Sequence, residues 1–201
     1  MTTRVFPATP ASPETPVLPG KQGLPDVVVG GPQLIALIGP PGAGKTTLRR
    51  RHLPGVEVVH LDENRGLLSP FGCEADQAVT AAAVQMATVQ AGALLAAGRP
   101  VLWDATSAVR ADRLALQVLA AEHRARSTAI VQLPDLAVCL ARNALRDDRP
   151  CACGFARRVP EEIVAAMHAE ILGDLDGLRG EGWDEVLFAE LPAGTGPGAS
   201  A

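Results

Sequence analysis

Lysine is almost absent from this sequence. Of the 18 basic residues among 201, only Lys21 and Lys45 are lysines and the rest are arginines. The formal net charge is −4, which argues against a protein that coats itself with nucleic acid by bulk charge. A chain that uses so little lysine has nevertheless placed one of its two, Lys45, inside a glycine-rich stretch.

Aromatic residues and long apolar runs are also scarce. There is no tyrosine and only 3% of residues are aromatic, so a base-stacking platform is not expected. No uninterrupted apolar run reaches the roughly 18 residues that cross a bilayer, and no leader pattern is visible, so we expect a cytoplasmic protein. Cys151 and Cys153 lie close together without a second pair at zinc-finger spacing, and we expect free thiols.

The two ends of the chain differ in composition from its middle. Residues 1–31 are rich in Pro, Thr and Gly, and 192–201 are similar, so both are predicted to be disordered tails around one domain at 32–191. Within that domain, apolar runs alternate with helical patterns, of which 109–124 carries Leu114, Val118 and Ala121 near helical spacing. The predicted strands are 33–38, 56–60, 100–103, 128–133 and 185–189, and the predicted helices are 44–52, 74–97, 109–124, 135–145 and 160–178.

This alternation predicts an α/β fold with a parallel sheet of about five strands and helices on both faces. Residues 39–46 read G-P-P-G-A-G-K-T, which fits the phosphate-binding pattern G-x-x-x-x-G-K-[ST] between a strand and a helix. The backbone of such a loop wraps a phosphate, its lysine reaches the β- and γ-phosphates, and its hydroxyl can ligate Mg²⁺. The predicted ATP-binding residues are Gly39, Gly42, Ala43, Gly44, Lys45, Thr46 and Thr47, with Thr46 on Mg²⁺.

A phosphate loop alone does not distinguish a kinase from a GTPase or a motor ATPase. A GTPase would need a base-reading N-K-x-D motif, and no lysine follows Lys45. A large ATPase would need a longer chain. The sequence therefore favours a P-loop kinase.

Acidic residues follow two of the predicted strands. Asp62 comes after the second strand and Arg65 three residues later, whereas Asp104 and Thr106 come after the third. Because the carboxyl ends of parallel strands line one edge of a sheet, Asp62 is expected near the phosphates, where it could accept a proton from an attacking hydroxyl. Arg65 could hold an acceptor phosphate, and Asp104 a metal-bound water or the acceptor hydroxyl. The alternative is that these residues cap helices and turns.

Arginines cluster around residues 146–159, which we call the lid. Arg142 and Arg146 are four residues apart on one face of a predicted helix, and Arg149 lies just beyond. Guanidinium groups stack on adenine and fork onto phosphate oxygens, so a mobile helical lid could close over ATP and exclude water. Arg157 and Arg158 close the segment. The alternative is a salt-bridged surface, since Asp147 and Asp148 accompany these arginines.

Taken together, these motifs resemble the polynucleotide 5′-kinase domain of bacterial end-healing RNA repair enzymes, and more loosely phage polynucleotide kinase and the zeta-toxin kinases. The likeness spans about residues 33–188. It rests on the phosphate loop and on four further runs: D-E-N-R-G-L-L from Asp62, D-Q at Asp76, D-A-T from Asp104 and R-N-x-x-R-x-x-R from Arg142.

The resemblance implies a role for each of these residues. Asp62 would be the general base for a 5′-hydroxyl and Arg65 would contact the acceptor phosphate. Arg142 would lie against adenine, and Arg149 would grip phosphates from the lid. The implied reaction transfers the γ-phosphate of ATP to a nucleic-acid end. Two alternatives remain: a kinase of a small metabolite, antibiotic or nucleotide sugar, and an ATP-binding module without turnover.

Overall fold

The computed structural model describes residues 29–192, and the predicted tails fall almost entirely outside this part. Its sheet has five parallel strands in the order β2-β3-β1-β4-β5, as the alternating pattern predicts. The strands are β1 Gln33–Ile38, β2 Glu57–His60, β3 Pro100–Asp104, β4 Arg126–Gln132 and β5 Glu185–Glu190. The helices are α1 Lys45–His52, α2 Leu61–Leu68, α3 Thr80–Ala96, α4 Arg110–Glu122, α5 Leu136–Ala144 and α6 Glu161–Leu178.

Strand β1 lies at the centre of the sheet, and all six of its residues are buried. A strand covered on both faces reads as a continuous apolar run, which is why it is visible in the sequence. Its one polar side chain, Gln33, donates to Thr128 Oγ1 on β4 at 3.0 Å. Helices α3, α4 and α6 cover one face of the sheet, and α1 covers the other. The folded core also includes Val29, three residues before the predicted domain boundary.

Helix α3 begins later than predicted. Asp76 accepts from the backbone N–H of Ala78 at 3.0 Å and from Ser69 Oγ at 2.7 Å, and this cap forms a short 3₁₀ turn, Gln77–Val79, ahead of Thr80. By length and a mean hydropathy of 1.4, the stretch Gln77–Ala96 is a candidate membrane span, although glutamine and threonine residues interrupt its apolar residues. Its small residues Ala83, Ala87 and Ala91 are fully buried, as in a helix that packs on a sheet.

Two further expectations are wrong. Helix α4 buries Arg113, Leu116 and Leu119, whereas Val118, on the predicted apolar face, is 58% exposed. Arg113 can face inward because Asp174 and Glu181 pair with its guanidinium, and the buried face of α4 therefore includes Arg113 rather than Val118. The lid is not helical, since residues 146–159 form turns and bends between α5 and α6.

Candidate functional site

The phosphate loop, residues 39–46, is fixed by contacts that only glycine allows. A Cβ on Gly42 would stand 2.2 Å from the carbonyl oxygen of Cys139, and one on Gly39 would stand 2.3 Å from that of Gln132. Gly42 also has a φ of +82°, a backbone angle that residues with a side chain rarely adopt. The loop is joined to the turn after β3 by a hydrogen bond from Gly39 N to Thr106 O at 3.1 Å. Its shape is therefore set before any ligand arrives.

Lys45 is folded back onto this loop. Its Nζ donates to the carbonyl oxygens of Gly39 at 2.6 Å and of Pro40 at 3.1 Å. Burial lowers the pKa of Lys45 from 10.5 to about 8, while the carboxylates of Asp104 and Asp62 act in the opposite direction. An arriving phosphate would exchange these carbonyl partners for anionic oxygens.

The amino end of α1 is open for an anion. Gly44 occupies the N-cap position with a φ of +101°, and it offers no capping side chain. The first turn of α1 carries no acidic residue, and the side chains of Thr46 and Thr47 are exposed. Uncapped N–H groups at a helix start favour a phosphate.

Asp104 ends β3 beside the loop and is largely buried. Its Oδ2 lies 3.0 Å from Arg49 Nε and 3.3 Å from His60 Nδ1, which leaves Oδ1 for another donor. The Thr46 hydroxyl and this carboxylate are both oxygen donors, the ligand type that Mg²⁺ prefers. These residue types therefore fit a Mg²⁺ ion.

Helix α2, which the sequence pattern did not predict, carries Asp62, the second acidic residue of the candidate site. Asp62 and Arg65 lie one turn apart and pair through Asp62 Oδ1 and Arg65 Nη2. Arg65 Nε also donates to Glu74 O at 2.9 Å, so the guanidinium is anchored from two sides. The Asp62 side chain is 62% exposed, and its charge acts on both Lys45 and Arg146.

Beyond Asp62 lies a cavity of about 390 Å³ between α2, α3 and α4. Arg65 is the only cationic residue among those that line it, and Asp112 adds a further carboxylate. The remaining walls are mostly apolar, formed by Leu61, Val84, Trp103, Ala105, Ala108, Val109, Ala115, Leu116, Leu119 and Met167. Thr106 lines the cavity as well, on the side expected for the acceptor.

The arginines of the lid region divide into two groups. Arg142 Nη1 donates to Ala43 O at 3.1 Å, which places its guanidinium on the phosphate loop, and Arg146 is near enough to lower the pKa of Lys45 further. Arg149 lies apart from the loop. It donates to Asp147 through Nε and Nη2 at 3.0 and 2.9 Å, and its side chain is 85% exposed.

Sequence reasoning missed two residues that hold the site in place. Arg113 is fully buried and donates to Glu181 Oε2 at 2.9 Å, to Asp174 Oδ2 at 2.6 Å and to the carbonyl oxygen of Ala108 in the cavity wall. Burial alone would lower the pKa of Arg113, but these carboxylates raise it. Gln132 Nε2 donates to Ala43 O at 3.2 Å. For Arg113, the sequence signal was a charged residue within an otherwise apolar helix face.

A family model described as an AAA domain matches residues 34–171. No curated protein sequence matches the chain. Among solved structures, a candidate kinase of Chloroflexus aurantiacus is 19% identical with a TM-score of 0.52, over 80% of this chain and 88% of the other. A chain of the Pnkp1/Rnl/Hen1 RNA repair complex is also 19% identical, with a TM-score of 0.58, over 74% of this chain but only 46% of its own length.

The AvrRxo1-ORF1:-ORF2 complex with ATP gives 17% identity and a TM-score of 0.56, over 74% of this chain and 50% of the other. At these identities the likeness concerns the fold, which is that of P-loop kinases. Two of these three structures contain chains about twice as long as the part they share with this one. The assignment of a substrate must therefore come from the site itself.

Proposed function

Because the chain belongs to the AAA domain family, which it matches over residues 34–171, we propose that it is an ATP-dependent kinase that phosphorylates an alcohol. One observation carries the proposal. The half-buried Lys45 of the phosphate loop and the Asp62–Arg65 pair stand at the same edge of the sheet, close enough for Asp62 to act on Lys45 electrostatically, and a cavity opens behind Asp62. Nucleotide and acceptor would approach this edge from opposite sides.

On the nucleotide side, the backbone of the phosphate loop and the first turn of α1 would cradle the β- and γ-phosphates. Lys45 would leave the carbonyl oxygens of Gly39 and Pro40 and donate to these phosphates. Thr46, and Asp104 through water, would hold Mg²⁺, which when bound neutralises phosphate charge. Arg142 would flank the adenine, as the family resemblance implies, from its present position on Ala43 O.

On the acceptor side, Asp62 would accept the proton as the acceptor oxygen attacks the γ-phosphorus. A new P–O bond forms on the acceptor while the bond to the bridging oxygen breaks, and ADP leaves with that electron pair. Lys45 and Arg146 would stabilise the charge on the leaving group. Arg65, anchored by Glu74 O, would orient Asp62 and contact the acceptor.

The general-base role can be tested with Asp62→Asn, which removes proton acceptance with little change in shape. We expect kcat to fall about 100- to 10,000-fold while ATP affinity is kept. Its neighbour Glu63, whose side chain is equally exposed, provides the matched control Glu63→Gln, which should retain turnover. Collapse of ATP binding in Asp62→Asn would instead assign this carboxylate to the nucleotide or to its metal.

The cavity favours a small-molecule alcohol with an apolar body as the acceptor. Its volume of about 390 Å³ is within the range of small-ligand sites, and its walls are mostly apolar. Its single cation, Arg65, is already paired with Asp62. A site of this kind binds its ligand mainly by burying apolar surface, and it has too few cations to neutralise several phosphates.

A 5′-hydroxyl polynucleotide end is the second candidate acceptor. It is favoured by the run D-E-N-R-G-L-L from Asp62 and by the position of Arg65, one helical turn away, where it could hold the phosphate next to the attacked hydroxyl. In this case the terminal nucleoside would enter the cavity, and only a few phosphates would be bound.

Labelled ATP and a panel of acceptors distinguish the two candidates. The panel contains 3′-phosphorylated nucleosides, 5′-hydroxyl RNA and DNA oligonucleotides of increasing length, and free alcohols with apolar bodies. Labelling of free alcohols alone supports the small-molecule acceptor. Labelling of oligonucleotides, with a KM that rises with salt, supports the polynucleotide end.

A cavity variant identifies which surface the acceptor uses. Ala115 is exposed on α4 and lines the cavity, whereas Ala111 is exposed on the same helix outside it. Ala115→Leu should raise the KM of the true acceptor without changing that of ATP, and Ala111→Leu should change neither. An acceptor KM that is unaffected by Ala115→Leu would contradict binding in the cavity.

A further inference from the structure

Three cysteines from two distant segments meet at the edge of the lid. The Sγ atoms of Cys73, Cys151 and Cys153 lie within 4.8 Å of one another, although Cys73 and Cys153 are 80 residues apart in sequence. Cys73 follows α2, and the other two belong to the lid. Within residues 29–192, the four cysteines are not bridged by disulfides. None of the three has a role in the proposed phosphoryl transfer.

The spacing of the sulfurs suits a shared metal ion. Cys73 Sγ and Cys153 Sγ are 3.2 Å apart. This distance is well beyond the bond of about 2.05 Å in a disulfide. It is nearer to the separation of about 3.8 Å between two thiolates at the corners of a zinc tetrahedron with bonds of about 2.3 Å. The third sulfur has no role in a disulfide between the other two, whereas a metal would engage all three.

A tight backbone turn carries two of the three cysteines. Cys151 N donates to Phe155 O and Gly154 N donates to Cys151 O, both at 2.8 Å, and this forms a tight turn with Gly154 at a φ of +85°. Cys151 and Cys153 both belong to this turn, and the thiol of Cys153 donates to Cys73 Sγ. The turn therefore holds two of the three candidate ligands beside the third.

We propose that Cys73, Cys151 and Cys153 bind one Zn²⁺ ion that fastens the lid to the loop after α2. Each protonated thiol releases its proton to solvent as its sulfur ligates the metal, and water completes the tetrahedron. The three thiolates and Zn²⁺ leave one net negative charge beside the cationic lid. Borderline-soft Zn²⁺ suits an all-sulfur protein donor set, which Mg²⁺ does not.

The metal would connect two parts of the candidate site. Next to Cys73, Glu74 accepts from Arg65 through its carbonyl oxygen at 2.9 Å, and its carboxylate pairs with Arg157 of the lid at 3.0 Å. That exposed ion pair is a weak link between lid and loop. A three-cysteine zinc site would make the same link strong, and it would set the position of the lid relative to Arg65.

Zinc binding is measured directly on the reduced, full-length protein, without reference to kinase activity. We expect one Zn²⁺ per chain by elemental analysis after reconstitution and gel filtration. Titration with Co²⁺ should give the intense visible and near-ultraviolet bands of tetrahedral cobalt bound to thiolates. Cys151→Ser and Cys153→Ser, both in a partly exposed turn, should weaken Zn²⁺ binding about 100-fold or more, as should Cys73→Ser.

The matched control is Cys139→Ala, because Cys139 is buried against Ala43 and Val164, away from the cluster. This variant should bind Zn²⁺ as the wild type does. Reduced protein that retains no zinc, or a Cys73→Ser variant that binds it normally, would overturn the proposal. So would a resting protein whose mass is lower by two hydrogens and whose Cys73 and Cys153 peptides are joined.

Proteolysis tests the connection to the lid. Trypsin can cleave after Arg157, whose side chain is 66% exposed, and after its neighbour Arg158. Chelation of zinc should speed cleavage at these sites in the wild type, and it should have no effect in Cys73→Ser, which is already cleaved rapidly. Equal rates with and without zinc in the wild type would contradict a fastened lid.

Discussion

The phosphate loop and the lid both depend on a glycine with a positive φ, yet these glycines are held in different ways. Gly42 in the phosphate loop has a φ of +82° and lies against the backbone of α5, where a Cβ would stand 2.2 Å from Cys139 O. Gly154 in the lid has a φ of +85° and has no atom within 4 Å of a Cβ position. The loop is therefore shaped by tertiary packing, and the lid turn by local hydrogen bonds.

The cations of the two regions differ in the same way. Lys45 in the phosphate loop donates to carbonyl oxygens, which are neutral and are readily exchanged for phosphate. Two of the lid cations are paired with acids of their own segment, Arg149 with Asp147 and Arg158 with Asp148. The loop is thus ready for an anion, whereas the lid must break ion pairs before it can bind one.

The largest expected effect comes from adding one methyl group to each glycine. In Gly42→Ala the loop must move away from Cys139 O, and we expect ATP affinity to fall about 100-fold or more, corresponding to about 3 kcal/mol. In Gly154→Ala only the backbone strain of roughly 1–2 kcal/mol applies, so ATP affinity should stay near that of the wild type. Calorimetry with ATP and thermal unfolding measure both variants.

Equal losses in the two glycine variants would contradict this comparison, since strain alone would then explain both. A Gly42→Ala variant that fails to fold would still be informative if Gly39→Ala, with its contact of 2.3 Å to Gln132 O, behaved in the same way.

Lys45→Ala should have the next largest effect. Removal of one charge aimed at the transferred phosphate is expected to lower kcat about 100- to 1,000-fold while the fold is preserved. The control is Arg50→Ala, because Arg50 is exposed on α1 and takes part in none of the ion pairs found among residues 29–192. Transfer at the wild-type rate in Lys45→Ala would refute the proposed nucleotide site.

The phosphate loop and the lid also differ in how well the sequence predicts their structure. The phosphate loop and the five strands were predicted because their signals are local: a glycine-lysine pattern and continuous apolar runs such as β1. Helix α2 was missed because Asp62 and Arg65 lie within a short run of eight residues, half of them polar or charged, of which only Asn64 is buried. The helical lid was wrong because residues 146–159 close into local turns, such as that from Cys151 N to Phe155 O, which the spacing of the arginines does not reveal.

Arg149→Ala should have a smaller effect than Lys45→Ala. If Arg149 leaves Asp147 to contact phosphate in the closed state, its loss removes a charge-assisted hydrogen bond of about 1.5–3 kcal/mol, and kcat/KM should fall about 10- to 100-fold. Asp147→Asn weakens the competing ion pair and should lower the KM for ATP instead. Unchanged kinetics in both variants would assign Arg149 to the surface.

The smallest effect concerns pH and separates the two kinds of cation. Burial lowers the pKa of Lys45 to about 8, so the ammonium is present below this pH and is lost as the pH rises through it. The lid guanidinium groups stay charged over the whole range. The dissociation constant for ATP should therefore increase about tenfold between pH 7 and pH 9, since one pH unit above its pKa only about a tenth of the group is charged.

Lys45→Arg should abolish this pH dependence in whatever ATP binding remains, and Arg149→Ala should keep it. A flat profile in the wild type would mean that Lys45 is charged throughout, and that the loop carbonyls solvate its ammonium better than its burial suggests.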